Sequence, residues 1–432
     1  MNSMDHNLVM DDIRGMLQSV DLPLTTECCI YKVPFDIRRL NDDAYTPKVV
    51  SIGPFHHGST NLQNMERHKL MYCNKFLQRA GRAFDLDSFV RHIELAEPGV
   101  RRCYSDMINL TPEELVKLVL VDCTFIFELF WRHFYGEWSK DDTLLWKPWL
   151  TTNIRLDLLL LENQIPFSIL EDLFNHSGVG KTHKFLDLTF DYFGYYNSSN
   201  LTPVNVKIEH FTDLLRVFYL KPLESLSFIK GRTNESMIQL KSATELVEAG
   251  VKFDVNTKSN CAMDLRFSRK KVLEIPLLRV EDWTETLFRN MMALEQCHYP
   301  DESYFTDYVA VLDFLINTSR DVDVLVEKGI LVNWLGDADS VANLFNGLWK
   351  NITHVNFGEH YYRLCEDLDS FCKDPLHKMK ATLWRDYGST PWQAAASVAG
   401  VLLLILSLIQ TVCSVLQVVQ QFNQSNSSNQ NN

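Results

Sequence analysis

From Tyr387 to Asn432 the chain carries no Asp, Glu, Lys or Arg, and within that stretch residues 394–419 are dominated by Ala, Val, Leu and Ile. No other feature constrains the fold as much. A helix of that length crosses a hydrocarbon layer about 30 Å thick at about 1.5 Å per residue. The Leu, Ile and Val residues between Val398 and Ile409 together favour insertion by roughly 3 to 5 kcal/mol. Gly400, Ser407, Gln410 and Thr411 offset part of that, and no charge adds its own larger cost. The competing reading is the central helix of a soluble core, but such a helix seldom borders an unpacked tail of Asn, Gln and Ser. Residues 394–419 are therefore expected to meet membrane lipid as one transmembrane helix, followed by a polar tail over 420–432.

Trp384, Tyr387 and Trp392 precede the segment, where amphipathic rings favour the interface, and Lys378, Lys380 and Arg385 lie on the same side. That bias puts the body in the cytosol, at the plasma membrane or an endomembrane. Asn-x-Ser/Thr triplets at Asn109, Asn197, Asn200, Asn234, Asn317 and Asn351 would place it in a lumen if glycosylated. Those at Asn109 and Asn200 are followed directly by Pro, which weakens them. The first residues have no basic region and no apolar core, so no secretory signal is expected.

The rest reads as a globular body. Its hydrophobic fraction of 46% and charged fraction of 22% suffice for a core. A net charge of −13 argues against nucleic acid as a partner, because binding there rests on clustered Lys and Arg. The densest basic run, Arg269-Lys270-Lys271, fits a hairpin turn. Ten cysteines are scattered without a Cys-x-x-Cys pair, which fits reduced, buried thiols.

Helical periodicity dominates. Residues 115–134 place Leu118, Val119, Cys123, Ile126, Phe127 and Phe130 on one face, and Thr111-Pro112-Glu113-Glu114 opens that helix as a capped start. A second apolar run begins at Leu156, and Pro166 is expected to break or kink it. Short alternating runs at 253–255, 263–267 and 272–275 predict a small antiparallel sheet or hairpin. The expected fold is mainly α: an N-terminal extension over 1–25, one large helical domain over 26–390, and the C-terminal helix. A boundary at the loop 194–203 is the alternative to a single domain.

Several motifs are distinctive. They are Ile30-Tyr31-Lys32-Val33-Pro34, Ala44-Tyr45-Thr46-Pro47, Val50-Ser51-Ile52-Gly53-Pro54-Phe55-His56-His57-Gly58 and Met65-Glu66-Arg67-His68-Lys69. Further along come Leu158-Leu159-Leu160-Leu161-Glu162-Asn163-Gln164-Ile165-Pro166-Phe167, Ala243-Thr244-Glu245-Leu246, Phe314-Leu315-Ile316-Asn317-Thr318 and Pro391-Trp392. In this order the chain resembles the plant proteins filed as domain of unknown function 247. The resemblance implies a helical body with a C-terminal membrane segment and no assigned enzyme activity. Some grass members of that family are associated with pollen self-incompatibility.

Candidate chemistry is sparse. Gly178-Val179-Gly180-Lys181-Thr182 echoes a phosphate-binding loop, but Asn175 stands where the first Gly belongs and a helix, not a strand, precedes it. His56, His57, Glu66 and His68 are candidates for a ligand or partner contact, though adjacent histidines converge poorly on one metal ion. Glu162, Asn163 and Gln164 sit in an apolar run and must find hydrogen bonds, either as a buried network or around a general acid or base. Glu295-x-x-His298 is half of a di-iron motif without its second copy. No nucleophile elbow and no zinc-protease helix is present. No cofactor is expected. The leading expectation is a non-enzymatic recognition or signalling protein with an unknown protein partner. The alternatives are an enzyme of unrecognised type near His56/His57 or Glu162/Gln164, and a structural organiser of endomembranes.

Overall fold

The computed structural model describes residues 6–18, 26–81, 84–137, 147–224, 231–233, 235, 238–353, 356–374 and 391–428. The flanking residues Lys378, Lys380, Trp384, Arg385 and Tyr387, the sequon at Asn234 and much of the expected N-terminal extension lie outside them.

The helix Pro112–Tyr135 is the axis of the N-terminal half. Thr111 and Glu114 form a reciprocal capping box, Pro112 occupies the first turn, and Gly136 ends the helix in the left-handed region at φ +63°. Leu115, Phe125, Ile126, Phe127 and Phe130 are fully buried, so it presents apolar surface almost all round. Helices Gln63–Ala80, Leu86–Arg102 and Phe185–Tyr192 pack against it. Phe130 stacks on Tyr192 at 4.2 Å and on Phe185 at 5.7 Å.

The run beginning at Leu156 departs from its expected course. The helix Pro148–Asp157 ends before the leucines, residues 158–166 are irregular yet buried, and a new helix Phe167–His176 starts after Pro166. The reason is local competition for carbonyls. Asn163 Nδ2 donates to the Asp157 carbonyl, and Gln164 Nε2 donates to those of Leu158 and Leu160. These side-chain amides take acceptors that a continuing helix would fill with backbone N–H groups.

The C-terminal half holds helices Thr284–His298, Tyr304–Leu315, Ser319–Glu327, Ala338–Leu348 and Glu359–Lys373, with five short strands among the described residues. Strands β1 (Lys252–Val255), β2 (Arg266–Phe267) and β3 (Val272–Ile275) form one sheet in the order β1-β3-β2. The β2–β3 pair is an antiparallel hairpin whose turn contains Arg269-Lys270-Lys271, with Lys271 at φ +66°. β1 corrects the expected antiparallel sheet: it pairs with β3 in parallel, because the hairpin returns β3 between β1 and β2. β4 (Leu278–Val280) and β5 (Leu331–Asn333) form a separate parallel pair. One continuous buried cluster runs from Cys29 to Cys372 and draws on both sides of the loop 194–203. All ten cysteines are free thiols, and seven of them are buried.

The last helix, Pro391–Ser428, stands apart. Its stretch Ala395–Gln421 is long and apolar enough to cross a membrane, with mean hydropathy 2.4 and no part of it buried against the body. Helical backbone continues past Val419 into the segment expected as a polar tail, because Gln and Asn residues there still permit a helix.

Candidate functional site

Residues 30–58 are mostly irregular, so their backbone N–H groups need partners from elsewhere. Four buried side chains supply them. Glu162 Oε1 accepts the Val33 N–H at 2.7 Å. The Asp157 carboxylate accepts those of Lys48, Val49 and Val50 at 2.9, 2.7 and 2.9 Å. Asn163 Oδ1 accepts from Ile52 at 2.7 Å, and Asp122 Oδ2 accepts from Gly53 at 2.9 Å. Asn163 Nδ2 also returns a bond to the Val50 carbonyl at 3.0 Å. The loop is thereby fixed against the helical body along most of its length.

Gly53 is where the two segments come closest. It has φ +73°, and a Cβ there would lie 2.3 Å from the Gln164 carbonyl oxygen. Tyr104 donates its hydroxyl to that same carbonyl at 2.9 Å, and Gln164 Oε1 accepts the Phe211 N–H at 3.0 Å. Gln164 thus spends both ends of its carboxamide inside the body.

Glu162 joins the two candidate groups that the sequence offers separately. Its Oε2 lies 2.7 Å from an Arg38 guanidinium nitrogen and 3.3 Å from His56 Nε2. Burial pushes the Glu162 carboxyl up, but His56, the Val33 N–H and Arg38 outweigh it and hold the group below the ordinary glutamate value. The remaining candidates do not converge. His57 is exposed, His68 Nδ1 lies 3.1 Å from the Asn64 carbonyl, and Glu66 pairs with Lys69 at 2.7 Å. No group of three or more His, Cys, Asp or Glu among the described residues is arranged to hold a metal ion.

Lys69 and Asp122 are the functional-looking pair that sequence reading missed. The Lys69 ammonium is buried, 2.5 Å from Asp122 Oδ1, and donates to the Ser51 carbonyl at 2.9 Å. Burial works against its charge, yet Asp122 and Glu66 hold it above the ordinary lysine value. Asp122 lies within a helical apolar run, and an acidic residue on a buried face was the available signal. Asp157 shows the opposite balance: burial pushes its carboxyl up to about 6 despite three backbone donors.

Glu295 is likewise committed. It takes the Arg216 guanidinium at 3.0 Å and the N–H groups of Phe305 and Thr306, whereas His298 faces the Tyr31 hydroxyl at 2.9 Å. Gly178-Val179-Gly180-Lys181-Thr182 forms a surface 3₁₀ turn after the helix Phe167–His176, without the strand that a phosphate loop follows. Two later motifs also meet: Asp321 caps its own helix at Thr318 and accepts the Thr244 N–H at 2.9 Å.

A helical body that clamps its own N-terminal loop with buried acids and amides, and then ends in an apolar helix, defines the class of protein. The plant family whose model is described as "plant protein of unknown function", domain of unknown function 247, matches residues 30–406, and the chain belongs to that family. It is similar to the UPF0481 protein At3g47200 of Arabidopsis thaliana, at 27% identity over 88% of this chain and 84% of that one. It also resembles the putative UPF0481 protein At3g02645 of the same plant, at 23% identity over 92% of each chain. No solved structure matches.

Proposed function

We propose that this chain is a membrane-anchored recognition or signalling protein without catalytic chemistry. The observation that carries the reading is the helix stretch Ala395–Gln421, uncharged, with mean hydropathy 2.4 and no residue of it buried against the body. In water such a surface is costly; in a bilayer it needs no protein partner. The polar groups most suggestive of catalysis, at Glu162, Asn163, Gln164 and Glu295, are consumed by internal bonds, which supports a scaffold role for them. The body then serves as a rigid recognition surface held near a membrane, on the cytosolic side by the positive-inside bias.

Protease protection combined with a glycosidase shift on the full-length protein tests this. The expected result is a membrane-bound chain whose body is digested from the cytosolic face without a shift. Full-length protein left in the supernatant after high-speed centrifugation of a detergent-free lysate would remove the anchor, and turnover of a defined substrate would remove the non-enzymatic assignment.

A further inference from the structure

β1 and β3 run side by side until Asn256, whose N–H donates to the Ile275 carbonyl at 2.9 Å. There they part. The Asn256 side chain turns its own segment away, accepting the Lys258 N–H at 3.2 Å and donating to the Asp264 carbonyl at 2.9 Å. The other chain continues through Pro276 and Leu277 into β4. What the departing segment leaves is a cleft of about 570 Å³ bounded by β4, the 255–262 segment and the rings of Tyr195, Tyr219, Trp283 and Phe288.

β4 faces that cleft with an unused edge. Leu278 donates its N–H to the Ile330 carbonyl at 2.8 Å, and the Val280 carbonyl accepts from Trp334 at 2.9 Å. Both residues therefore spend their backbone groups on β5. The pleat sends the N–H and C=O of Arg279 the other way, where neither takes a partner among the described residues. The Arg279 side chain is exposed and makes no ion pair among them either. Glu281 on the same rim is already engaged by the Tyr195 hydroxyl at 2.7 Å.

We propose that this cleft receives an extended peptide of a partner protein, which adds a strand to β4 at Arg279. Its large apolar or aromatic side chain enters among the four rings, and an acidic residue opposite Arg279 pairs with the guanidinium. An open strand edge selects for extended backbone, because only that conformation offers a C=O and an N–H in matching register. The aromatic walls and Arg279, the one cation among the described residues that line the cleft, then set the sequence. β4 is short and offers one pair of backbone bonds, so the side-chain contacts must supply most of the affinity. This inference rests on the recognition reading above and names the surface that would carry it.

The experiment is selection of a phage-displayed random octapeptide library on the full-length protein in detergent micelles, with counter-selection on a protein carrying Arg279→Glu and Tyr195→Ala. Both residues are exposed, and an unchanged melting temperature checks that the variant folds. The expected result is a family of peptides pairing an acidic residue with an aromatic or large aliphatic one. A synthetic member should bind about tenfold or more weaker to the R279E protein. Backbone N-methylation should weaken binding by a similar factor at the one peptide residue whose N–H meets the Arg279 carbonyl and leave it unchanged at that residue's two neighbours, which is the signature of strand addition at a single open pair. No enrichment over the variant, or N-methylation that weakens binding equally at every residue or at none, overturns the proposal. So does dimerisation without peptide that R279E abolishes, which would make the occupant a second copy. A pull-down separates the two levels: specific partners kept by the double variant sink the cleft alone, and none for the wild type sinks the recognition reading.

Discussion

At Gly53, the close approach of the Gln164 carbonyl and the positive φ act together, so Gly53→Ala should lower stability by about 2 to 4 kcal/mol in chemical denaturation of the detergent-solubilised chain. His210 sets a pH dependence. Its Nε2 donates to the Cys29 carbonyl at 3.0 Å, and its Nδ1 accepts the Asp213 N–H at 3.3 Å, so both ring nitrogens are satisfied only in the neutral form. Burial pushes its pKa down to about 3. The unfolded chain then binds the extra proton first, and stability contributed by neutral His210 is complete above about pH 6.5 and lost as the pH falls toward 3. The loss is on the order of 5 kcal/mol. Asp157 tilts the other way between about pH 4 and 6, because its raised value favours the folded protonated form. The comparison of wild type with His210→Gln across this range isolates the histidine: their stabilities should converge at low pH, and parallel curves would refute the assignment. Nothing in the local sequence around His210 marked it, since its partner Cys29 is far away along the chain.

Among the elements, the helix Pro112–Tyr135 was written in its own residues, from the Thr111 cap to Gly136, because capping and a four-residue period are local physics. The β2–β3 hairpin was equally local. The end of the helix at Asp157 was not, since it depends on where the Asn163 and Gln164 amides point. The contact between the helices Gln63–Ala80 and Pro112–Tyr135 carries the buried Lys69–Asp122 pair. Lys69→Met should cost about 3 to 5 kcal/mol by stranding the carboxylate, and adding Asp122→Leu should restore part of it. A double-mutant cycle by denaturant unfolding reads the coupling. Equal losses that simply add would show that the pair holds nothing together.

For the whole molecule, removal of residues 391–428 should release the body from the membrane pellet into the supernatant, because none of the stretch Ala395–Gln421 is buried against the body. Fractionation of the truncated and full chains checks this, and a truncated body still pelleting with membranes would point to a second attachment. The amino-acid sequence alone determined the membrane-length apolar helix, the mainly helical body, the capped start at Thr111 and the hairpin turn, because each follows from neighbours within a turn or two of the chain. The tertiary structure decided the rest. It brought Val33 to Glu162, set His56 beside that carboxylate, laid β1 parallel to β3 and opened the cleft along β4. These are contacts between segments distant in sequence, whose pairing is fixed by which buried polar groups can satisfy one another once the core closes, and no local period encodes that.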